Sequence, residues 1–129
     1  MMRFGKPAED PRIRVGRRGE NLAFELLKKK GYKVLERNFK TPLGEIDIIA
    51  RDKKTLVFVE VKTRLSSDFG TAKWAVGPRK QRKLSMVALD YLKRLSLLDQ
   101  PARFDVVAID LDQGEAKIEL FRNAFDLAY

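Results

Sequence analysis

Four charged side chains stand at spacings that suit hydrolytic chemistry: Glu45 and Asp47 in Glu45-Ile46-Asp47-Ile48-Ile49-Ala50, and Glu60 and Lys62 in Val59-Glu60-Val61-Lys62. Both segments are rich in β-branched residues and are separated by Arg51-Asp52-Lys53-Lys54-Thr55, the pattern of a β-hairpin. Strand side chains alternate faces, so Glu60 and Lys62 share one face of their strand, as do Glu45 and Asp47 of theirs. A two-residue loop at Lys53-Lys54 then places Asp47 opposite Glu60 and Glu45 opposite Lys62, whereas a slip of one residue would turn Asp47 to the other face. Two carboxylates so placed have Cβ atoms roughly 5 Å apart and repel each other, and a divalent cation between them relieves the repulsion. Oxygen ligands suit Mg2+ or Mn2+. Such an ion activates water and neutralises charge growing on a phosphate, while Lys62 would orient the attacking water or stabilise the phosphate electrostatically. By spacing alone, the same residues equally suit cross-strand ion pairs on a solvated sheet face. Their apolar neighbours, Val57-Phe58-Val59 and Ile48-Ile49-Ala50, point instead to interior strands, where unpaired charge is expensive.

Composition narrows the chemistry further. The 129 residues contain no cysteine and no histidine, which excludes disulfides, thiolate or imidazole zinc sites and histidine-based nucleophilic triads. Hydrolysis by this chain must use carboxylates, lysine, hydroxyls or a hard metal ion. Lys and Arg outnumber Asp and Glu by 27 to 18, a formal charge of +9 that favours polyanionic partners and equally serves solubility. A 44% hydrophobic content is enough for one core. Met1 to Val15 carries charges throughout, unlike a signal peptide, and no stretch approaches the roughly 18 apolar residues of a membrane span. The expectation is a cytoplasmic protein with no membrane partner.

The elements that must position these residues read as follows. Residues 1–15 mix Gly, Pro and charge and read as a flexible basic arm, leaving 16–129 as a single domain. Leu22, Ala23, Leu26 and Leu27 recur at helical spacing between Arg17 and Lys30, and the basic run before Gly31 marks a helix end. Tyr32, Val34 and Leu35 suggest a short strand, and Asn38 to Gly44 holds turn formers. After the hairpin, residues 64–77 read as a long loop around Trp74. Pro78 opens a second helix through Leu84, Val87, Ala88, Tyr91, Leu92 and Leu95. Phe104 to Leu111 and Ala116 to Phe121 read as two strands about Asp112-Gln113-Gly114. The order α-β-β-β-α-β-β predicts a mixed α/β domain, its central sheet flanked by helices.

These residues carry a family resemblance. Asp47 with Glu60-Val61-Lys62 resembles the P-D...(D/E)-x-K nuclease superfamily, with Ile46 standing where that name expects proline. The chain is more closely similar to the bacterial YraN family, through five segments in order: Gly16-Arg17-Arg18-Gly19-Glu20, Asn38-Phe39, Gly44 to Ala50, Val59-Glu60-Val61-Lys62-Thr63-Arg64 and Lys80-Gln81-Arg82-Lys83-Leu84. The resemblance implies a restriction-endonuclease-like fold similar to archaeal Holliday-junction resolvases. It also implies that Glu20, on the first helix, joins Asp47, Glu60 and Lys62 as a catalytic residue and joins Asp47 and Glu60 as a metal ligand. An isolated Glu20 would otherwise read as a first-turn carboxylate complementing the helix dipole.

Lys73, Trp74, Arg79, Lys80, Arg82 and Lys83 offer phosphate contacts and a stacking surface, with a solvated helix face as the plain alternative. Arg64, beside the lysine motif, and Gln81, which resembles a position near the catalytic lysine in related nucleases and otherwise reads as a surface glutamine, complete the expected nucleic-acid-binding set. The function that follows is a Mg2+- or Mn2+-dependent endonuclease acting on DNA, branched or structured, as a monomer or a homodimer with two sites. The alternatives are a non-catalytic nucleic-acid-binding adaptor on the same fold and an RNA-directed nuclease that uses the same site, which the sequence does not separate from a DNA-directed one.

Overall fold

The computed structural model describes residues 10–65, 76–112 and 114–127. Helix α1 spans Pro11–Lys29, followed by strands β1 (Lys33–Thr41), β2 (Gly44–Asp52) and β3 (Thr55–Arg64), helix α2 (Pro78–Arg94), and strands β4 (Ala102–Asp112) and β5 (Glu115–Phe125). The five strands form one sheet in sequence order. Strand β3 runs parallel to β4, and every other neighbouring pair is antiparallel. This is the mixed α/β architecture that the element order predicts, and it is consistent with the restriction-endonuclease-like fold that the resemblance implies. Among the described residues no helix is long and apolar enough to cross a membrane.

Each helix covers its own face. Ala23 and Leu27 of α1 pack on Ile48, Ala50, Val57, Val59, Val107 and Ile109. Leu84, Val87, Ala88, Tyr91 and Leu92 of α2 pack on Ile46, Ile49, Leu56, Phe58, Phe104 and Val106. Strands β2, β3 and β4 are thus covered on both sides and read as apolar runs rather than alternating ones. At the turn end of the β2–β3 hairpin, Arg103 reaches Asp52 at 2.8 Å, Tyr32 Oη at 2.8 Å and the fully buried Asp105 at 3.0 Å. Tyr32 Oη also donates to Asp105 at 2.8 Å. Every charge in that network has a partner, which is what burial requires.

Three expectations are corrected. Helix α1 begins at Pro11, so residues 11–15 are helical rather than part of a flexible arm. Asp10 accepts a hydrogen bond from the Arg12 backbone N–H at 2.9 Å, and Pro11 occupies the first turn, where a missing N–H does no harm. Glu20 therefore lies in the body of α1, too far from its N-terminus to serve the helix dipole. Strand β1 continues to Thr41 instead of ending near Leu35, because Asn38 adopts φ +54° within the strand rather than starting a turn. The actual turn is Pro42-Leu43, closed by Thr41 Oγ1 accepting from the Leu43 N–H at 3.1 Å. Of the predicted 64–77 loop, residues 66–75 lie outside the described residues, and Val76 is buried under α2.

The hairpin register agrees with prediction from Ile48 to Thr55, but the ladder stops there and does not include the expected Asp47–Glu60 and Glu45–Lys62 pairs. Ile48 faces Val59, Ile49 faces Phe58 and Asp52 faces Thr55 across a Lys53-Lys54 turn, with Lys53 at φ +55°.

Gly19 brings α1 close to β3: a Cβ there would collide with the Thr63 side chain. Gly19→Ala is expected to push α1 outward and to destabilise the domain by about 1–3 kcal/mol, read as a lowered urea midpoint at unchanged slope. A midpoint equal to that of the parent protein would show that the helix is not held at this contact.

Candidate active site

The site lies where the alternation of two strands reverses. Phe39 and Ile46 are opposed in register, and both belong to the α2 core, with Phe39 edge-on to Tyr91 at 5.3 Å. Two residues away, Arg37 and Ile48 are also opposed, yet they face α1: Arg37 donates to Asn21 Oδ1 at 2.8 Å, and Ile48 packs in the α1 core. Residues two apart on an ideal strand share a face. Here they do not, because Asn38, between Arg37 and Phe39, sits in the left-handed region. Asp47, between Ile46 and Ile48, stands at the crossing.

Asp47 reaches the neighbouring strand through its side chain. The β2–β3 pairing runs as far as Ile48 and Val59, and beyond it Asp47 Oδ2 accepts from the Val61 backbone N–H at 2.8 Å. Glu20 from α1 and Glu45 from β2 converge on the same point, and with Asp47 they bring carboxylate oxygens that all lie within 4.8 Å of one another. Asn38 joins them: with its amide nitrogen turned inward it donates to Glu20 at 3.0 and 3.2 Å and to Glu45 at 3.1 Å.

This arrangement strains the ionised state. Burial, then the negative charges of Glu60, Glu20 and Glu45, push the Asp47 carboxyl up to about 7 against the opposing Val61 N–H. Glu60 is also raised, chiefly by burial, although the Lys80 and Lys62 charges pull the other way. Lys62 is lowered by burial and by the Arg64 and Lys80 charges, with Glu60 opposing. The pattern of perturbed carboxylates beside a perturbed lysine is the kind that marks functional sites.

The predicted residues do not all converge on one point. Glu20 and Asp47 come together, joined by Glu45, which the sequence placed on the same strand face but not among the ligands. Glu60 and Lys62 neighbour each other on β3, and Glu60, only 13% exposed, pairs with Lys80 of α2 at 3.7 Å. Lys80 is thus drawn from the expected nucleic-acid face toward the carboxylates. Arg79, Arg82 and Lys83 are exposed on the first turns of α2. Gln81 spends its amide nitrogen on the Val76 carbonyl at 2.7 Å, pinning the start of the helix. Arg64 ends β3 beside Asp110 of β4. Lys73 and Trp74 lie outside the described residues. Asn38 is the member that sequence reasoning missed. Its signals were its residue type, since Asn tolerates the left-handed region better than most, and its place in the Asn38-Phe39 segment.

A cleft of about 400 Å³ opens beside Glu20, between the first turns of α1 at Val15 and Gly16 and the end of β3 at Val61 and Thr63. Of the three clustered carboxylates, Glu20 lines it. The oxygen-only donor set, crowded and partly buried, fits a hard divalent cation such as Mg2+ or Mn2+.

A model of an uncharacterised protein family, UPF0102, matches residues 19–109. A UPF0102 protein of Syntrophus aciditrophicus is 49% identical over 117 residues, covering 91% of this chain and 92% of its own length. A UPF0102 protein of Geobacter sulfurreducens is 51% identical over 116 residues, covering 89% and 91%. One of Thermodesulfovibrio yellowstonii is 50% identical over 114 residues, covering 88% and 97%. Among solved structures, SfsA of Pyrococcus furiosus in complex with Ca2+ matches at a TM-score of 0.38 and 15% identity, over 91% of this chain and 65% of that one. The family match takes in Glu20, Asn38, Glu45, Asp47, Glu60 and Lys62 together, and the chain belongs to the UPF0102 family, the YraN family whose segments its sequence carries.

Proposed function

We propose that this protein is a divalent-cation-dependent endonuclease that hydrolyses phosphodiester bonds in DNA, with branched or otherwise structured DNA as its substrate. The observation that carries the reading is the convergence of Glu20, Glu45 and Asp47 from a helix and a strand, beside Glu60 and Lys62. Glu20, Glu45 and Asp47 would hold the ion, with Glu60 adjacent. When bound, a divalent cation supplies Lewis-acid activation and neutralises charge that grows on a phosphate.

The chain's own groups supply the rest. The Val61 N–H fixes the Asp47 carboxylate in place, so no reorganisation is needed as substrate arrives. Glu60 and Lys62 present an acceptor and a donor side by side on β3: a carboxylate to receive a proton from water, and an ammonium whose Nζ proton is loosened by burial. Arg79, Arg82 and Lys83 on α2 offer contacts to flanking phosphates. The +9 net charge favours encounter with a polyanion.

The binding-only alternative is disfavoured by energetics. A module that merely binds nucleic acid through surface cations gains nothing from a buried aspartate held among three other carboxylates. In the cation-free protein that cluster works against both folding and anion binding.

Purified protein is expected to cut a panel of four-way junctions, flaps, single strands and duplexes in Mg2+ or Mn2+. Asp47→Ala, Glu60→Ala and Lys62→Ala should each lower the rate by at least about 100-fold. Cleavage that persists in the Asp47 and Glu60 variants would overturn the assignment.

The raised Asp47 carboxyl also fixes a sign. The folded state holds this proton more tightly than the unfolded chain does, so stability is highest below the ordinary aspartate range and falls as pH rises toward about 7. Asp47→Asn keeps an acceptor for the Val61 N–H and removes that loss. It is expected to raise the midpoint of the cation-free protein at pH 8, by an amount bounded at about 4 kcal/mol, with the gain vanishing near pH 4. A variant less stable than the parent at pH 8 would contradict the electrostatic account.

Added Mn2+ should stabilise the parent by about 2.7 kcal/mol at 100 times its dissociation constant and leave Asp47→Asn nearly unmoved. Thermal melts with and without the ion read this directly, and equal shifts in the two proteins would place the ion elsewhere.

A further inference from the structure

We infer that Asn38 is a positioning residue of this site, a neutral donor that holds Glu20 and Glu45 side by side without cancelling their charge. The inference rests on the cation-site reading above and adds to it the residue that shapes the site.

Three observations lead to it. First, Asn38 lies in β1 at φ +54°, a conformation that is rare for a residue bearing a side chain and is tolerated best by Asn, Asp and Gly. Backbone in this region persists where the surroundings over-determine it, and such positions cluster at functional sites. Second, one end of the Asn38 side-chain amide faces both Glu20 oxygens and a Glu45 oxygen, and with the amide turned so that its nitrogen is at that end the distances are 3.0 and 3.2 Å to Glu20 and 3.1 Å to Glu45. Ionised carboxylates only accept, so of the two ends of the amide only the nitrogen can face them. Third, Asn38 stands across the β1–β2 ladder from Asp47, between the Arg37–Ile48 and Phe39–Ile46 pairs. It therefore touches a carboxylate from α1, one from β2, and the strand position that carries Asp47.

The chemistry of the donor is the telling point. Glu20 and Glu45 come from different elements and repel, so something must hold them together before an ion arrives. An arginine or lysine at position 38 would do so strongly, but it would form an ion pair and compete with a cation for the same oxygens. An amide contributes N–H groups and no net charge, leaving the negative potential for a divalent ion. Partners of ligating carboxylates commonly set metal affinity in this way, and losing one weakens binding by about 10- to 100-fold.

The requirement for φ +54° supplies a clean variant. Asn38→Gly adopts that conformation freely and removes only the amide. Mn2+ binding measured by calorimetry on the full chain, at a temperature where melts show both proteins folded, is expected to weaken about 10- to 100-fold in Asn38→Gly. A structural role alone would move the melting temperature and leave the affinity of the folded protein unchanged. Asp47→Asn, which removes a ligand, serves as the control for lost binding.

If the parent binds Mn2+ and Asn38→Gly binds it equally well, Asn38 has no positioning role and the site reading stands. If the parent binds no Mn2+, with DNA present or absent, the site reading fails and the role of Asn38 fails with it. Should Asn38→Gly not fold, the parent still decides. The Asn38 side-chain amide resonances should shift on Mg2+ titration with the same midpoint as the backbone amides of Glu45 and Asp47, and resonances that stay put would overturn the proposal.

Discussion

A left-handed residue in the middle of a strand reverses which side chains face which helix, and this sheet is organised around one. Before Asn38, Arg37 and its partner Ile48 look toward α1; after it, Phe39 and its partner Ile46 look toward α2. Both hydrophobic cores are completed by that reversal, since each receives the residues that strict alternation would have denied it. Asp47 is left at the crossover, where the backbone ladder to β3 stops and its carboxylate takes over the Val61 N–H. The site is therefore placed by the same departure from regular geometry that lets the sheet pack on both sides.

Electrostatics opposes this placement and packing sustains it. Burial, with the charges of Glu60, Glu20 and Glu45 added to it, penalises ionised Asp47 and pushes its carboxyl up to about 7. Folding wins because the elements that carry the acids are anchored by apolar contacts elsewhere. Leu27 and Ala23 are fully buried and seat α1, Gly19 lets it approach Thr63, and Ile46 and Ile48 bury either side of Asp47. The network around Arg103 and Asp105 secures the opposite end of the same strands. Strained charge at one end of the sheet and satisfied charge at the other follow a common division of labour, in which functional sites keep strain that the scaffold offsets.

Much of this was legible in the chain. The register of β2 on β3 follows from the length of the Lys53-Lys54 turn together with the apolar runs on either side, and both are local properties. The start of α2 at Pro78 is equally local. The start of α1 was also written in the chain, as Asp10-Pro11, but the surrounding Gly and Arg residues obscured it. Asn38 was misread for a physical reason. Asn is common in turns because it tolerates positive φ, and the same tolerance permits a reversal inside a strand. Residue type alone does not separate the two.

The sequence by itself determined the order of elements, the pairing of the central hairpin, the proximity of Glu60 to Lys62 and the exclusion of histidine and cysteine chemistry. Each depends on composition or on neighbours within one turn or hairpin. Only the tertiary structure decided that Glu45 joins Glu20 and Asp47, that Lys80 turns to Glu60, and that Asn38 bridges two of the acids. Those contacts join α1, β1, β2, β3 and α2, and they depend on how far two packed cores draw the helices over the sheet. That distance is set by the fit of Leu27 and Tyr91 side chains, and of the bare backbone at Gly19, against distant strands, which no local pattern specifies.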